Sequence, residues 1–317
     1  LIPIKSPRSL SKNFMFVSGD KNSPNSLAII ELNGMIIEKN IEFPNLANNF
    51  IISPKQVKGY LDELVGIAPK IIIFSINSPG GTVSASKNLY DIITKYKKNN
   101  DVEILVHTNE LLASGGYWVS TSAGEIYASY GSIVGSIGVK GPDWFYYDQP
   151  KSISTGIFGN RIETINGIKV FSNKAGKSKD IFNPFREPTK QEIKHLQNMV
   201  DEIYNDFVQL VSKNRKIEIN TIINDIGGQI FTSKQALKSH LIDGEISLDE
   251  LVKRTIKNNN FENYKIIKKN NQEIFLIKEI FSSNVKNVRE FETNFKTQCL
   301  SIRTSITAIL NYQSTGC

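Results

Sequence analysis

Two short runs, KIIIFSIN (70–77) and VEILVHTN (102–109), are apolar at nearly every position, and each leads into a glycine-bearing turn, SPGG (78–81) and LLASGG (111–116). A strand with one wet face alternates apolar and polar residues. A run without alternation suits a strand buried on both faces, as in a parallel sheet covered by helices. The segment between the runs supplies such a helix, from about Ser84 to Lys97, with Leu89, Ile92, Ile93 and Tyr96 on one face. A small-residue helix over 115–123 and a short strand, EIYAS (125–129), follow. This β–turn–α–β alternation predicts an α/β domain with largely parallel strands.

The flanking segments extend the pattern. LAIIELNGMII (27–37) reads as a strand, a glycine turn and the start of a second strand, and Gln56 to Ile67 as a short amphipathic helix. Thr189 and Glu192, just after Pro188, have the spacing of a capping box. Behind them Ile193, Leu196, Val200, Ile203, Tyr204, Phe207 and Leu210 recur mostly at three- and four-residue steps, the clearest helix of the chain. SKQALKSHLID (233–243) predicts a further helix–strand pair. Residues 1–26, broken by Pro3, Pro7 and Pro24, read as a polar, poorly ordered arm. The pattern loosens beyond Val252, and no internal repeat signals a second copy of the domain.

Composition narrows the classes. The 317 residues, 40% hydrophobic and 22% charged, have the balance of a soluble globular protein. No stretch approaches the ~18 consecutive apolar residues of a membrane helix, although the chain opens at Leu1 and so leaves room for an anchor or targeting segment upstream. Of the net charge of +7, residues 251–317 carry +6, from 11 Lys/Arg and 5 Asp/Glu. Such a tail could meet nucleic acid or an anionic membrane face. It interleaves few aromatics and shows no nucleic-acid motif, so a solvated tail is expected and no nucleic-acid partner. Cys299 and Cys317 offer neither metal-ligand spacing nor a disulfide framework, and His107, His195 and His240 form no metal-site pair.

Chemistry could sit where the two glycine turns meet. In an open parallel sheet, ligands gather at the carboxyl ends of the strands. If Ser114 attacked a carbonyl there, the N–H groups of Gly81 and Gly115 could hold the oxyanion, aided by the partial positive charge of a helix start. The bland reading of LLASGGYW is a packing turn with Ser114 as helix N-cap. A nucleophilic serine also needs a base. His107 lies in the strand leading to Ser114 and reads as a core or edge residue; His195 and His240 fall on or near helices, and a Ser–His–Asp triad is not favoured. A lysine whose amine burial keeps neutral could serve instead. The GKS of AGKSKDIFNPFR (175–186) is no phosphate loop, because Phe171 stands where that loop needs glycine. Gly131, Gly135 and Gly138 in GSIVGSIGV fit tight strand packing better than a dinucleotide fingerprint.

NSPGG, LLASGGYW, GSIVGSIGV, GKSKDIFNPFREPT and GGQIFTSKQALKSHLID stand in the order, and at the spacing, seen in the signal peptide peptidase A family of S49 serine peptidases, and LAIIELNGMI resembles its first core strand. The resemblance covers residues 27–252 and divides the chain into the polar arm 1–26, a catalytic domain 27–252 and a basic extension 253–317. It implies the Clp protease/crotonase-like fold of stacked β-β-α units, and a Ser–Lys dyad. Ser114 matches the nucleophile, Lys179 of KSKD the general base, Ser136 a serine that orients the lysine, and Gly81 an oxyanion donor. It further implies peptide substrates, no cofactor, a membrane-associated location and, for a chain with one module, a homo-oligomeric ring whose sites combine serine and lysine from neighbouring subunits. Two departures stand out. The stretch before the first strand is polar where the family commonly has a membrane anchor, and Gly228-Gln229 replaces a common Gly-Arg. A crotonase-type acyl-CoA enzyme or a non-catalytic scaffold on the same fold are the competing readings.

Overall fold

The computed structural model describes residues 11–38, 50–147, 154–156, 159–161, 174–175 and 178–270. The chain forms two compact units. The first comprises residues 1–138 and 205–278, the second 139–204 and 279–317.

In chain order the first unit opens with β1 (Phe14–Gly19), β2 (Ser26–Asn33), β3 (Met35–Ile36), β4 (Ile51–Ile52), α1 (Pro54–Ile67), β5 (Ile71–Asn77) and α2 (Val83–Asn99). β6 (Glu103–Thr108), β7 (Leu111–Ala113), α3 (Gly115–Ser120), β8 (Glu125–Ala128) and β9 (Ile133–Gly135) follow. The second unit holds a small antiparallel hairpin, β10 (Ser154–Gly156) with β11 (Gly159–Arg161), and the start of α4 (Lys190–Arg215). The chain then completes the first unit with α5 (Ile219–Thr221), which runs on as a π-helical turn Ile222–Ile226. After it come β12 (Ile230–Thr232), α6 (Ser233–Lys238), β13 (Gly244–Glu245), α7 (Leu248–Asn258) and β14 (Lys265–Lys269).

The main sheet has seven strands in the order β1-β14-β2-β5-β6-β8-β13, parallel throughout except for β1 against β14. Its central strands are buried on both faces, as the unbroken apolar runs require: Ile72, Ile73, Phe74, Ile104, Leu105, Val106 and Ile126 are all at most 2% exposed. A second layer is built from short strands: β9 lies between β12 and β7, Ser78 bridges to Leu112, and Ile36 of β3 bridges to Gly81. Each main strand β5 and β6 thus hands over to a short second-layer segment and then to a helix, α2 or α3. This is the repeated β-β-α unit of the Clp protease/crotonase-like fold.

The elements read from periodicity are present, with ends shifted by a few residues. Thr82 caps α2 through its side chain, and Thr232 with Gln235 makes a reciprocal box at α6. The Thr189–Glu192 box is formed, the carboxylate accepting the Thr189 N–H and the threonine hydroxyl accepting the Glu192 N–H. Of the stripe along α4, Phe207 alone is buried, and Ile193 is 53% exposed. The folded unit also extends past both boundaries drawn at 26 and 252. Phe14–Gly19, assigned to the arm, is a sheet strand with Phe14 fully buried, and α7 and β14 carry the chain into the same sheet. Leu251, Val252, Ile256, Phe261 and Ile266 pack with Leu27, Ile29 and Ile73 over one sheet face. Residues 1–10, Phe171, Gly176, and the tail beyond 270 with Cys299 and Cys317 lie outside the described residues.

His107 is a core residue, as its strand position predicts. It is fully buried in β6, and its Nε2–H donates to the Ile246 carbonyl at 2.9 Å, which leaves Nδ1 buried with no partner among the described residues. Protonation would add a second N–H with no acceptor, and burial lowers the imidazole pKa below its ordinary value. The sign follows. Below about pH 6.5 the unfolded chain binds a proton that the folded chain refuses, so this residue makes stability fall as pH falls. Thermal unfolding between pH 7 and 5 is expected to show this loss, up to about 1.4 kcal/mol per pH unit, and His107→Gln is expected to flatten it.

Candidate active site

The site is assembled where β5 and β6 end. β7 runs parallel to β9 in the register Leu111↔Ile133, Leu112↔Val134 and Ala113↔Gly135, and one residue later the Ser114 N–H donates to the Gly135 carbonyl at 2.9 Å. Ser114 is the N-cap of α3 by position, but not by side chain. Its backbone is held at φ 52°, ψ −122°, and its hydroxyl makes no capping bond. The bland reading of LLASGGYW is therefore right about the turn and wrong about the hydroxyl. A non-glycine residue in this region costs of order 1–3 kcal/mol and persists only where its surroundings impose it. Here they do. Tyr117 of α3 is fully buried with its hydroxyl donating to the Leu241 carbonyl at 2.8 Å, and Trp118 stacks on Phe207 with centroids 4.6 Å apart.

The SPGG turn lies against this serine. A Cβ on Gly80, which has φ +108°, would stand 2.8 Å from the Gly115 nitrogen and 3.1 Å from Ser114 Oγ. A Cβ on Gly115 would stand 3.2 Å from the Gly81 nitrogen and 2.2 Å from Ser86 Oγ. No side chain fits at either position, and the backbone nitrogens of Gly81 and Gly115 come close together beside the hydroxyl. Among the described residues neither N–H has a hydrogen-bond acceptor. The bridge between Ile36 and Gly81 uses the Gly80 carbonyl (2.8 Å) and the Thr82 N–H (2.9 Å), not the Gly81 N–H. Gly115 is the first residue of α3, whose leading N–H groups have no partner within the helix. Gly81 also has a packing reason to be glycine, since a Cβ there would meet the Ile36 carbonyl oxygen at 1.9 Å.

Ser136 stands beside Ser114 at the same end of the paired strands, one residue past Gly135. It too has positive φ, 53°, and its N–H donates to the Gln229 carbonyl at 2.7 Å. The Gly228-Gln229 departure thus contributes a main-chain oxygen here, for which the side chain is immaterial. Gly135 confirms tight packing, as a Cβ would meet that same carbonyl at 2.8 Å; Gly131 instead occupies an open turn at φ +83°.

Ser114, Ser136, Gly81 and Gly115 all belong to the first unit. Lys179 belongs to the second, in a turn over 178–182, with its side chain exposed. The turn is held by charges that the motif reading passed over. Arg186 donates to both Asp180 oxygens at 3.0 Å and to both Glu192 oxygens at 2.8 and 2.9 Å, and Lys174 pairs with Asp180 as well. The Arg186 bonds are the main reason the Asp180 carboxyl is held well below the usual carboxylate range and the Glu192 carboxyl at about 2. Arg186 also lies over the Trp144 ring, 5.1 Å from its centroid. The sequence signal for this brace was the Asn183-Pro184 turn between Asp180 and Arg186. His195 and His240 are both exposed.

A hydroxyl on a strained strand-to-helix turn, with two glycine amides beside it, is the geometry that acyl-transfer chemistry uses, on an α/β fold of stacked β-β-α units. The sequence model of peptidase family S49 matches residues 96–262, just over half of the chain. The chain belongs to that family. A Methanocaldococcus jannaschii protein provisionally named a protease is 36% identical over 198 residues, covering 62% of this chain and 59% of its own length. An Enterococcus faecium protein provisionally named signal peptide peptidase SppA is 30% identical, covering 59% of this chain and 51% of its own length. Protease 4 of Haemophilus influenzae is 26% identical, covering 74% of this chain and 35% of its own length. The chain therefore spans about half to three-fifths of the first two of these relatives. Among solved structures, the 1510-N membrane-bound stomatin-specific protease, in a mutant form bound to a substrate peptide, is 16% identical. It covers 72% of this chain and 79% of its own, with a TM-score of 0.43. Among the described residues, no helix is long and apolar enough to cross a membrane.

Proposed function

We propose that this chain is a serine endopeptidase that uses a Ser114–Lys179 dyad to hydrolyse remnant signal peptides or other extended apolar peptides. The carrying observation is the Ser114 hydroxyl, free of its capping role and set beside the Gly81 and Gly115 amides. In the first step the amine of Lys179 takes the Ser114 proton as Oγ attacks the scissile carbonyl. The negative charge that forms on the carbonyl oxygen is met by the two N–H groups. Collapse breaks the C–N bond, and the leaving amine takes the proton back from Lys179. Water, deprotonated by the same lysine, then attacks the acyl carbon; the C–Oγ bond breaks, the acid leaves, and Lys179 returns the proton to Ser114 Oγ. Ser136 orients the lysine amine by a hydrogen bond. The reading needs no cofactor.

The site is completed between copies, in a homo-oligomeric ring in which Ser114 of one chain meets Lys179 of its neighbour, working at a membrane surface. Family membership supports the peptidase chemistry, and the name borne by the Enterococcus relative supports the substrate class. Ile193 and Met199, 53% and 49% exposed on α4, offer apolar surface for assembly. The test is hydrolysis of fluorogenic extended peptides with apolar residues beside the cut, in the presence of a metal chelator and without nucleotide. Cleavage that persists under both conditions is expected; no cleavage of any such peptide by the intact chain would sink the reading.

A further inference from the structure

Asn77, the last residue of β5, takes no part in the chemistry proposed above, yet its side chain holds together the ends of three strands. Its Oδ1 accepts from the Thr108 hydroxyl and from the N–H groups of Asn109 and Glu110, each at 3.0 Å, and its Nδ2 donates to Asn33 Oδ1 at 3.0 Å. Two backbone donors fix which way the amide faces, since only the carbonyl oxygen can accept from them. Asn109 and Glu110 are the whole connection between β6 and β7. The next residue, Ser78, continues the hold through its main chain: its N–H donates to the Leu111 carbonyl at 2.7 Å, and its carbonyl accepts from Ala113 at 3.0 Å. Ser78 Oγ in turn accepts the Gly80 N–H at 3.1 Å, tying the glycine turn to the same point.

The strand held in this way is short. β7 has three residues and bears Ser114 directly at its end. A strand that short has few ladder bonds to define its pairing, and a slip of one residue turns every side chain to the opposite face. We infer that Asn77 is a positioning residue: it sets the register of β7 against the 78–81 turn and so places Ser114 Oγ beside the Gly81 and Gly115 amides. The catalytic half of this inference rests on Ser114 being the nucleophile; the register half does not.

The experiment compares Asn77→Ala, Asn77→Asp and Thr108→Val with the unaltered chain. Three measurements are made: hydrogen exchange of a peptide spanning 109–118, steady-state kinetics (kcat and KM) on a fluorogenic peptide, and the thermal midpoint. Asn77→Ala is expected to speed exchange in 109–118 about tenfold and to lower kcat about 10- to 100-fold, with KM and exchange elsewhere little changed. Aspartate keeps the three acceptor contacts, and the Asn33 amide can turn over to donate, so Asn77→Asp should recover most of both losses. Thr108→Val removes one donor of three and should give a milder version of both effects, which decides the matter if the alanine variant does not fold. Exchange and kcat in Asn77→Ala equal to those of the unaltered chain would overturn the inference, as would a uniform rise in exchange across the chain that aspartate fails to reverse. Hydrolysis that survives Ser114→Ala would overturn the nucleophile reading and the catalytic half with it, while exchange over 109–118 would still decide the register half.

Discussion

Ser114→Ala is expected to lower kcat/KM for peptide hydrolysis by about 10⁴-fold or more without unfolding the chain. The first half follows from removing the atom that forms the acyl-enzyme in the proposed chemistry. What remains is the pair of amides and substrate binding, which by themselves give a small residue of catalysis. The second half follows from the geometry: the hydroxyl makes no capping bond, so the helix start loses nothing when it goes. Ser114→Gly separates the two effects further. Glycine adopts φ 52° without the penalty a side chain brings, and it is tolerated at an N-cap. That variant should be as inactive as the alanine one and more stable than the unaltered chain, by up to about 1 kcal/mol. A thermal melt beside an activity assay checks both. A gain in stability on losing the hydroxyl-bearing side chain would mark the strain as retained for function.

Lys179→Ala should be nearly as damaging, with a loss of about 10³-fold or more, and Lys179→Arg should not rescue it. A guanidinium stays charged and has no lone pair to accept the serine proton. Neither variant should shift the thermal midpoint by much, because the side chain is exposed and makes no part of the Asp180–Arg186–Glu192 brace. The same pair of variants tests whether a site is shared between copies. Ser114→Ala and Lys179→Ala chains, each inactive alone, should regain part of the activity when their subunits are exchanged. Proven exchange without recovery would leave only a dyad within one chain.

The parts of the fold that were legible in the sequence are those whose burial is complete. β5, β6 and β8 lie inside the main sheet, so nearly every side chain had to be apolar, and the runs stood out. β1 and β14 were not legible because they lie toward one side of the sheet: β1 is a short run within a polar stretch, and β14 carries lysines. In KIIKK only Ile266 and Ile267 are buried; Lys268 reaches Glu31 at 2.6 Å and Lys269 lies over the Tyr60 ring. Such a segment has the composition of a solvated tail and the partners of a strand. The stripe along α4 was legible as a helix, but periodicity does not say what covers each turn, and Ile193 is left bare.

At the candidate site the residue types were readable and the backbone was not. Glycine at 80, 81 and 115 signals close approach or unusual φ, and the structure supplies both reasons. The positive φ of Ser114 and Ser136 carries no such signal, because serine is an ordinary residue for a turn. Asn77 was hidden for a related reason. An asparagine before Ser-Pro-Gly-Gly reads as one more turn residue, and its role depends on Asn109 and Glu110, more than thirty positions away, being folded against it.

The most direct test of Ser114 as the nucleophile is covalent labelling of the intact, folded chain with an active-site-directed serine probe, followed by mass mapping of the adduct. One adduct per chain is expected, on the peptide that carries Ser114, and none in Ser114→Ala. An adduct on a different serine, or full peptide hydrolysis by a chain in which Ser114 stays unlabelled, would contradict it.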